Sequence, residues 1–301
     1  GTLVVENATI ANTTAGMKHA TYAIDNNSIN SEATLVLNAG AVVSNANNYA
    51  IRQIANKANS ITVNDGAKVT GTRAVWVQLP SNNASVAPEV ELTVNGGTLE
   101  GTGEGEYKLA VYSYTYGNNA KNVNITVNAD STILGDIALT GGSNKENTET
   151  LTVNGGTFEG SVYSYAAIEK AMETVNVYNG TFTEEIEVEL LAEGSLLVKQ
   201  ANGLYSVSAE TQSGAVAKIG NTGYLTLEEA IAAASATDKV VLLANASLTS
   251  KVELRDTTLT IEGDFTVTLN DNLIVYGETS LNISSKLSGE VLLENNSIVK
   301  D

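Results

Sequence analysis

The chain contains no cysteine, which removes disulfides, thiolate nucleophiles and cysteine-based zinc sites together. It has two prolines, one tryptophan and one histidine, His19, in "GMKHATY". No Ser or Asp constellation is identifiable around that histidine, so it reads as a loop residue rather than the centre of a triad. Bases are scarce: 16 Lys and Arg face 34 Asp and Glu, and the net charge of −18 repels nucleic acid and anionic lipid alike. No run of about 18 apolar residues is present, so direct membrane insertion is not expected. No charged-then-apolar leader opens the sequence. Gly1 runs straight into the strand pattern "TLVVENATI", and the natural protein is expected to begin earlier. Walker, HExxH, EF-hand and dinucleotide motifs are missing as well, and no metal or cofactor is expected.

What is present is repetition. Val, Ile, Thr, Tyr and Asn are abundant and helix formers scarce, which points to an all-β fold. "LTVNGGTLEG" at Leu92 returns as "LTVNGGTFEG" at Leu151, with paraphrases opening at Leu3, Leu35, Ile61, Ile125 and Val175. Each opens with apolar residues at alternate positions, the mark of a half-buried strand. An Asn-Gly-type turn follows, then a second short strand, a variable loop and a third strand. Three short strands per repeat with loops of varied length predict a parallel β-helix, in which stacking creates the core that no single repeat can bury. The column Asn38, Asn64, Asn95, Asn128 and Asn154, flanked by Glu6 and Tyr178, is expected to form a structural hydrogen-bond ladder between repeats.

The pattern breaks after Phe182 at "EEIEVELLAEGSLLVKQANGLYSVSA" and restarts after "AVAKIGNTGYLTLEEAIAAA". Thr226 suits an N-cap, with Glu228 and Glu229 in the first turn, and predicts one short capping α-helix near 225–235. Leu225, Leu227, Ala230, Ile231 and Ala234 are expected to plug an apolar end. This junction resembles that between tandem modules of gut-bacterial cell-surface, adhesin-like proteins, related to the right-handed, pectate-lyase-like β-helix superfamily. The resemblance implies a right-handed solenoid in two segments, 1–209 with about seven repeats and a closing part, and 210–301 beginning at the capping helix. It also implies an extracellular or cell-surface location and adjacent modules of the same parent chain as partners.

Chemistry is harder to find. Glycoside hydrolysis needs two carboxylates about 5 to 10 Å apart, whereas Asp25, Asp65, Asp130 and Asp136 fall in different columns. A lyase of the resembled superfamily would need calcium-binding carboxylates beside a base. Arg52, Arg73 and Lys108 are the candidate bases, and the loop carrying Glu104, Glu106 and Lys108 is the least implausible site. No catalytic residue is assigned, and a polysaccharide lyase or glycoside hydrolase remains the alternative. One constellation stands out. In the third strand the inward column reads Ile24, Ile51, Val75, Val111, Ile137 and Val162, so the next residues, Asp25, Arg52, Trp76, Tyr112, Ala138 and Tyr163, should point outward. Two positions on, Gln78, Tyr114, Thr140 and Tyr165 should do the same. With repeats about 4.8 Å apart, the aromatics Trp76, Tyr112, Tyr114, Tyr163 and Tyr165, with Arg52 and Gln78, either form a platform for a neutral host or dietary glycan in a non-catalytic, adhesin-like module, or stack between repeats for stability in a purely structural one.

Overall fold

The computed structural model describes residues 1–13, 21–28, 30–79, 89–115, 122–140, 148–164, 172–270, 272–289, 291–294 and 298–300. Most of them lie in strands, and the sheets of the repeated region are parallel. The chain divides into two compact units, Gly1–Glu193 and Gly194–Asp301.

Unit 1 is organised by columns. Thr2–Val5, Ala33–Leu37, Asn59–Asn64, Glu89–Asn95, Asn122–Val127, Thr148–Val153 and Met172–Val177 form one seven-stranded sheet, each strand parallel to the corresponding strand of the next repeat. The alternation explains the packing: Leu35, Ile61, Leu92, Ile125 and Leu151 are at most 1% exposed, while the Thr and Ser between them face the other side. A tight turn follows. It is made by a residue in the left-handed region at Asn7, Gly40, Gly66, Gly96 and Asp130, so Asp130 serves the backbone there. The asparagines before these turns hydrogen-bond in series. Asn64 Nδ2 donates to Asn38 Oδ1 at 2.9 Å, Asn95 to Asn64 at 3.5 Å, Asn128 to Asn95 at 2.5 Å and Asn154 to Asn128 at 2.9 Å.

The second column contains Thr9–Asn12, Thr98–Gly101, Thr132–Leu134, Thr157–Glu159 and Gly180–Phe182, with the first parts of Val42–Ala55 and Lys68–Leu79. Those two long strands then turn into the third column beside Ile24–Ser28, Leu109–Thr115, Asp136–Leu139 and Val162–Ser164. Ile24, Ile51, Val75, Val111, Ile137 and Val162 are all buried, as their alignment requires. The next inward positions are mixed. Asn26 and Gln53 are buried beside Asn59, which accepts from Asn26 Nδ2 at 2.6 Å and from Gln53 Nε2 at 2.9 Å. Further along, Glu149 is fully buried, and its Oε1 accepts from Ser113 Oγ at 2.9 Å.

Unit 2 opens with the antiparallel pair Ser195–Lys199 and Tyr205–Ala209, then a hairpin of Ala217–Ile219 and Thr222–Tyr224. Leu197 and Val198 pair in parallel with Thr222 and Gly223, and the segment 194–209 lies within this compact unit. Strands Lys239–Leu242, Thr258–Glu262, Ser280–Ile283 and Ile298–Lys300 then pair in parallel, flanked by two three-stranded parallel sheets. Leu259 lies opposite Leu281, 22 residues on.

Among the described residues there is one α-helix, Leu227–Ala233, and it starts where Thr226 predicts. Thr226 Oγ1 accepts from Glu229 N, and Glu229 Oε2 accepts from Thr226 N, a complete capping box. Leu227, Ala230 and Ile231 are buried in one core cluster with Val240, Leu248 and Leu259, and Ala234 packs against its side. Leu225, expected in the same plug, instead packs against Leu196, Val198 and Ala215, because it precedes the cap and leaves the helix axis. Glu228 ties the helix to the next loop: its Oε1 accepts from Thr249 N at 2.5 Å, Thr249 Oγ1 at 2.9 Å and Ser250 N at 3.0 Å. Burial pushes this carboxyl up, but the donors on Thr249, its own amide and Ser250 outweigh that and hold it below its ordinary 4.5. A lowered folded value means that the tie stabilises above the unfolded value and is lost as pH falls through the folded one. Glu228→Gln should therefore cost unit 2 about 1 kcal/mol at neutral pH and progressively less in acid. Urea unfolding of both proteins at about pH 7 and about pH 3 checks this; a difference that does not shrink in acid refutes the tie.

Candidate functional site

The outward face of the third column carries the row Asp25, Arg52, Trp76, Tyr112, Ala138 and Tyr163 in unbroken backbone register. Gln78 and Tyr114 pair two positions further on. The parallel strands therefore bring Arg52, Trp76, Tyr112, Gln78 and Tyr114 onto one sheet face of unit 1. Tyr163 continues the row in its backbone, and Tyr165 lies outside the described residues, as does His19.

These side chains are less open than alternation alone implies. Trp76, Tyr112, Tyr114, Arg52 and Gln78 are each half-buried, and Ala138 is 3% exposed. A second set of aromatics packs beside the first. Tyr49 stacks on Trp76 with centroids 5.0 Å apart and planes 26° from parallel, and reaches Tyr112 at 6.4 Å. Tyr22 meets the other side of the cluster, 6.3 Å from Trp76. Two arginines join in. The Arg52 guanidinium lies 4.5 Å from the Tyr22 ring centre and grips Asp25 through two hydrogen bonds, of 3.0 Å and 2.5 Å. The Arg73 guanidinium lies 5.1 Å from the Tyr49 ring and 4.6 Å from the Tyr107 ring, and its Nη1 donates to the Tyr49 hydroxyl at 2.8 Å.

The electrostatics follow from this packing. Burial pushes the Tyr49 hydroxyl up to about 12 against the opposing pull of Arg73, so it stays a protonated donor at any physiological pH. Burial raises Tyr22 too, with Arg52 opposing. The hydrogen bond to Asp25 raises Arg52, with burial opposing. The strand Lys68–Leu79 also concentrates unmet polar groups: Thr72 Oγ1, Trp76 Nε1 and Gln78 Oε1 are buried without a hydrogen-bond partner among the described residues. Buried polar atoms are nearly always paired, so three on one strand leave hydrogen-bonding capacity unused there.

The carboxylates raised from the sequence have backbone or ion-pair roles. Asp25 holds Arg52, Asp136 Oδ1 accepts from Ser161 N at 2.8 Å, and Asp65 and Asp130 occupy turns. In the loop of Glu104 to Lys108, Lys108 pairs with Glu159 at 3.0 Å, and the 3-10 turn Gly105–Tyr107 brings Tyr107 to Arg73.

Sequence reasoning missed Tyr22, Tyr49, Arg73 as a partner of aromatics, and Tyr107. A signal for the first three was present. Tyr22-Ala23-Ile24, Tyr49-Ala50-Ile51, Arg73-Ala74-Val75 and Leu109-Ala110-Val111 align as a second column two residues before the inward one. In the structure Tyr49, Arg73 and Leu109 do lie in register. Comparison with protein-family models, with curated proteins and with solved structures produced no match, so the geometry of this face stands as the basis for any functional reading.

Proposed function

We propose that the chain is a non-catalytic, adhesin-like module displayed on a cell surface, built as a right-handed parallel β-helix, and that the Trp76 face of unit 1 binds glycan. The observation that carries the reading is the continuous assembly of Arg52, Tyr22, Trp76, Tyr49 and Arg73 on one outward sheet face, with unmet polar atoms on the same strand. Aromatic faces take the apolar faces of sugar rings, and flanking polar groups fix hydroxyls. Column-by-column parallel pairing of each repeat with the next supports the β-helix, and its right hand follows the usual sense of parallel crossovers. The strongly acidic surface favours a glycan that is neutral along most of its length. The cell-surface setting rests on the resemblance of the junction around residues 180–235.

The chain's one tryptophan sits in the proposed site, so its fluorescence reports binding there. Screening the chain on a broad glycan array, with and without calcium, should find a ligand that shifts Trp76 emission. Trp76→Ala should lower the affinity at least about tenfold, with circular dichroism confirming the fold. Unchanged affinity in a folded variant sinks the platform, and cleavage of a uronic-acid polymer by the purified chain replaces it with a lyase.

A further inference from the structure

Two arginines stand on the same sheet face and are treated differently by the fold. Arg52 receives a carboxylate from the preceding repeat, Asp25, in a two-point grip. Arg73 does not. Among the described residues no carboxylate lies within ion-pairing distance of it, and one N–H, to the Tyr49 hydroxyl, is its hydrogen bond. A guanidinium carries five N–H donors, and Arg73 is half-buried, so water reaches it only in part. Tyr49, itself 5% exposed, and Tyr107, 51% exposed, hold the guanidinium in place. A planar cation fixed by aromatic rings, with unengaged donors and no internal counter-ion, matches the planar geometry of a carboxylate.

We infer that Arg73 recognises a carboxylate on the glycan bound at the Trp76 face, so that the preferred ligand is a mostly neutral saccharide bearing one acidic sugar. This rests on the glycan-binding reading and specifies it. The buried, unpartnered Thr72 Oγ1 beside Arg73 lies on the same strand as Trp76 Nε1 and Gln78 Oε1, which places the unmet hydrogen-bonding capacity of the face along the strand that carries the cation. With a net charge of −18, the chain holds an acidic sugar only where a local cation offsets that field, so recognition is confined to a single point along the ligand. Lysine does not reproduce a planar fork stacked between rings, so Arg73→Lys should recover only part of the effect.

The test uses the whole chain, Trp76 fluorescence and two pairs of oligosaccharides. One pair contains a uronic-acid residue and the other a terminal sialic-acid residue, each beside its carboxyl-reduced counterpart. The wild-type chain should bind the acidic member of one pair at least about tenfold more tightly than the reduced member, with the preference shrinking as salt rises. Which pair shows it identifies the source of the carboxylate. Arg73→Gln should bring the ratio to about one, and Arg73→Lys should leave it between. A wild-type ratio of about one in both pairs, or a ratio that survives in Arg73→Gln, overturns the inference while leaving glycan binding in place. The reduced-ligand comparison needs no variant, so it decides even if Arg73→Gln fails to fold. Failure of every saccharide to bind overturns the glycan reading itself, and this inference with it.

Discussion

Alanine at Gly101 should destabilise unit 1 by about 4 kcal/mol or more, enough to leave much of it unfolded. A Cβ there would lie 2.5 Å from the Leu109 carbonyl oxygen, 2.6 Å from its carbonyl carbon and 2.7 Å from its nitrogen. All three are backbone atoms, so no side chain can rotate away, and relief requires moving a strand that is paired on both sides. Gly71 stands in register with Gly101 and is as constrained, its Cβ falling 2.4 Å from the Arg73 carbonyl oxygen. These glycines are where the chain leaves the second column for the third, and the closeness of the two columns at that corner is what excludes a methyl group. Urea unfolding followed by Trp76 fluorescence measures the effect. Gly105→Ala is the comparison: its Cβ would meet nothing within 4 Å, and the cost there comes from its φ of +56° alone, about 1 kcal/mol. If the two variants unfold at the same urea concentration, the steric account of the corner is wrong.

Phe158→Ala should cost about 3 to 5 kcal/mol. Phe158 is 1% exposed and stacks on Phe182, also fully buried, with centroids 4.7 Å apart and planes within 16°. Two of the chain's three phenylalanines are thus paired across successive repeats inside unit 1. Removing one ring loses its burial, leaves a cavity that paired backbones on each side cannot close, and strips Phe182 of its stacking partner. Phe158→Leu should recover most of the loss by refilling the space. Phe265→Ala should cost less than about 1 kcal/mol, because that ring is 38% exposed in unit 2. Calorimetry of the three variants gives the order, and a Phe158→Ala no worse than Phe265→Ala would contradict the packing described.

The strands and their register were legible because the inward residues of each repeat are nearly all Leu, Ile or Val at strict alternation, and because each strand meets its own paraphrase in the next repeat. Leu92 opposite Ile61 and Trp76 opposite Tyr112 both follow from aligning the sequence on itself. The glycine row at Gly71 and Gly101 was equally visible in "KVTG" and "TLEG", where it reads as ordinary strand ending unless the corner geometry is known. Two features were hidden for physical reasons. Asn26 and Gln53 have inward parity but polar side chains, and only a third amide, Asn59, arriving from a different repeat, makes their burial tolerable. A register shift between Asn45 and Tyr49 separates Tyr49 from the second strand, so counting by twos from there does not assign its side. Losing that residue from view meant losing the ring that stacks on Trp76.

The asparagine ladder has a sense as well as a position. In every link the later residue donates and the earlier one accepts, so the amide dipoles lie head to tail along the stacking direction and each bond polarises the next. The column therefore has two unlike ends, with a donor in hand at Asn38 and an acceptor at Asn154. Its flanking residues suit them: Glu6, before Asn38, carries only acceptors when ionised, and Tyr178, after Asn154, carries an O–H. Because each amide carries both a donor and an acceptor, an Asn repeat fits at any level of this ladder, and only the ends of the series differ. The ladder thus gives the stack a direction without fixing which Asn repeat stands at which level.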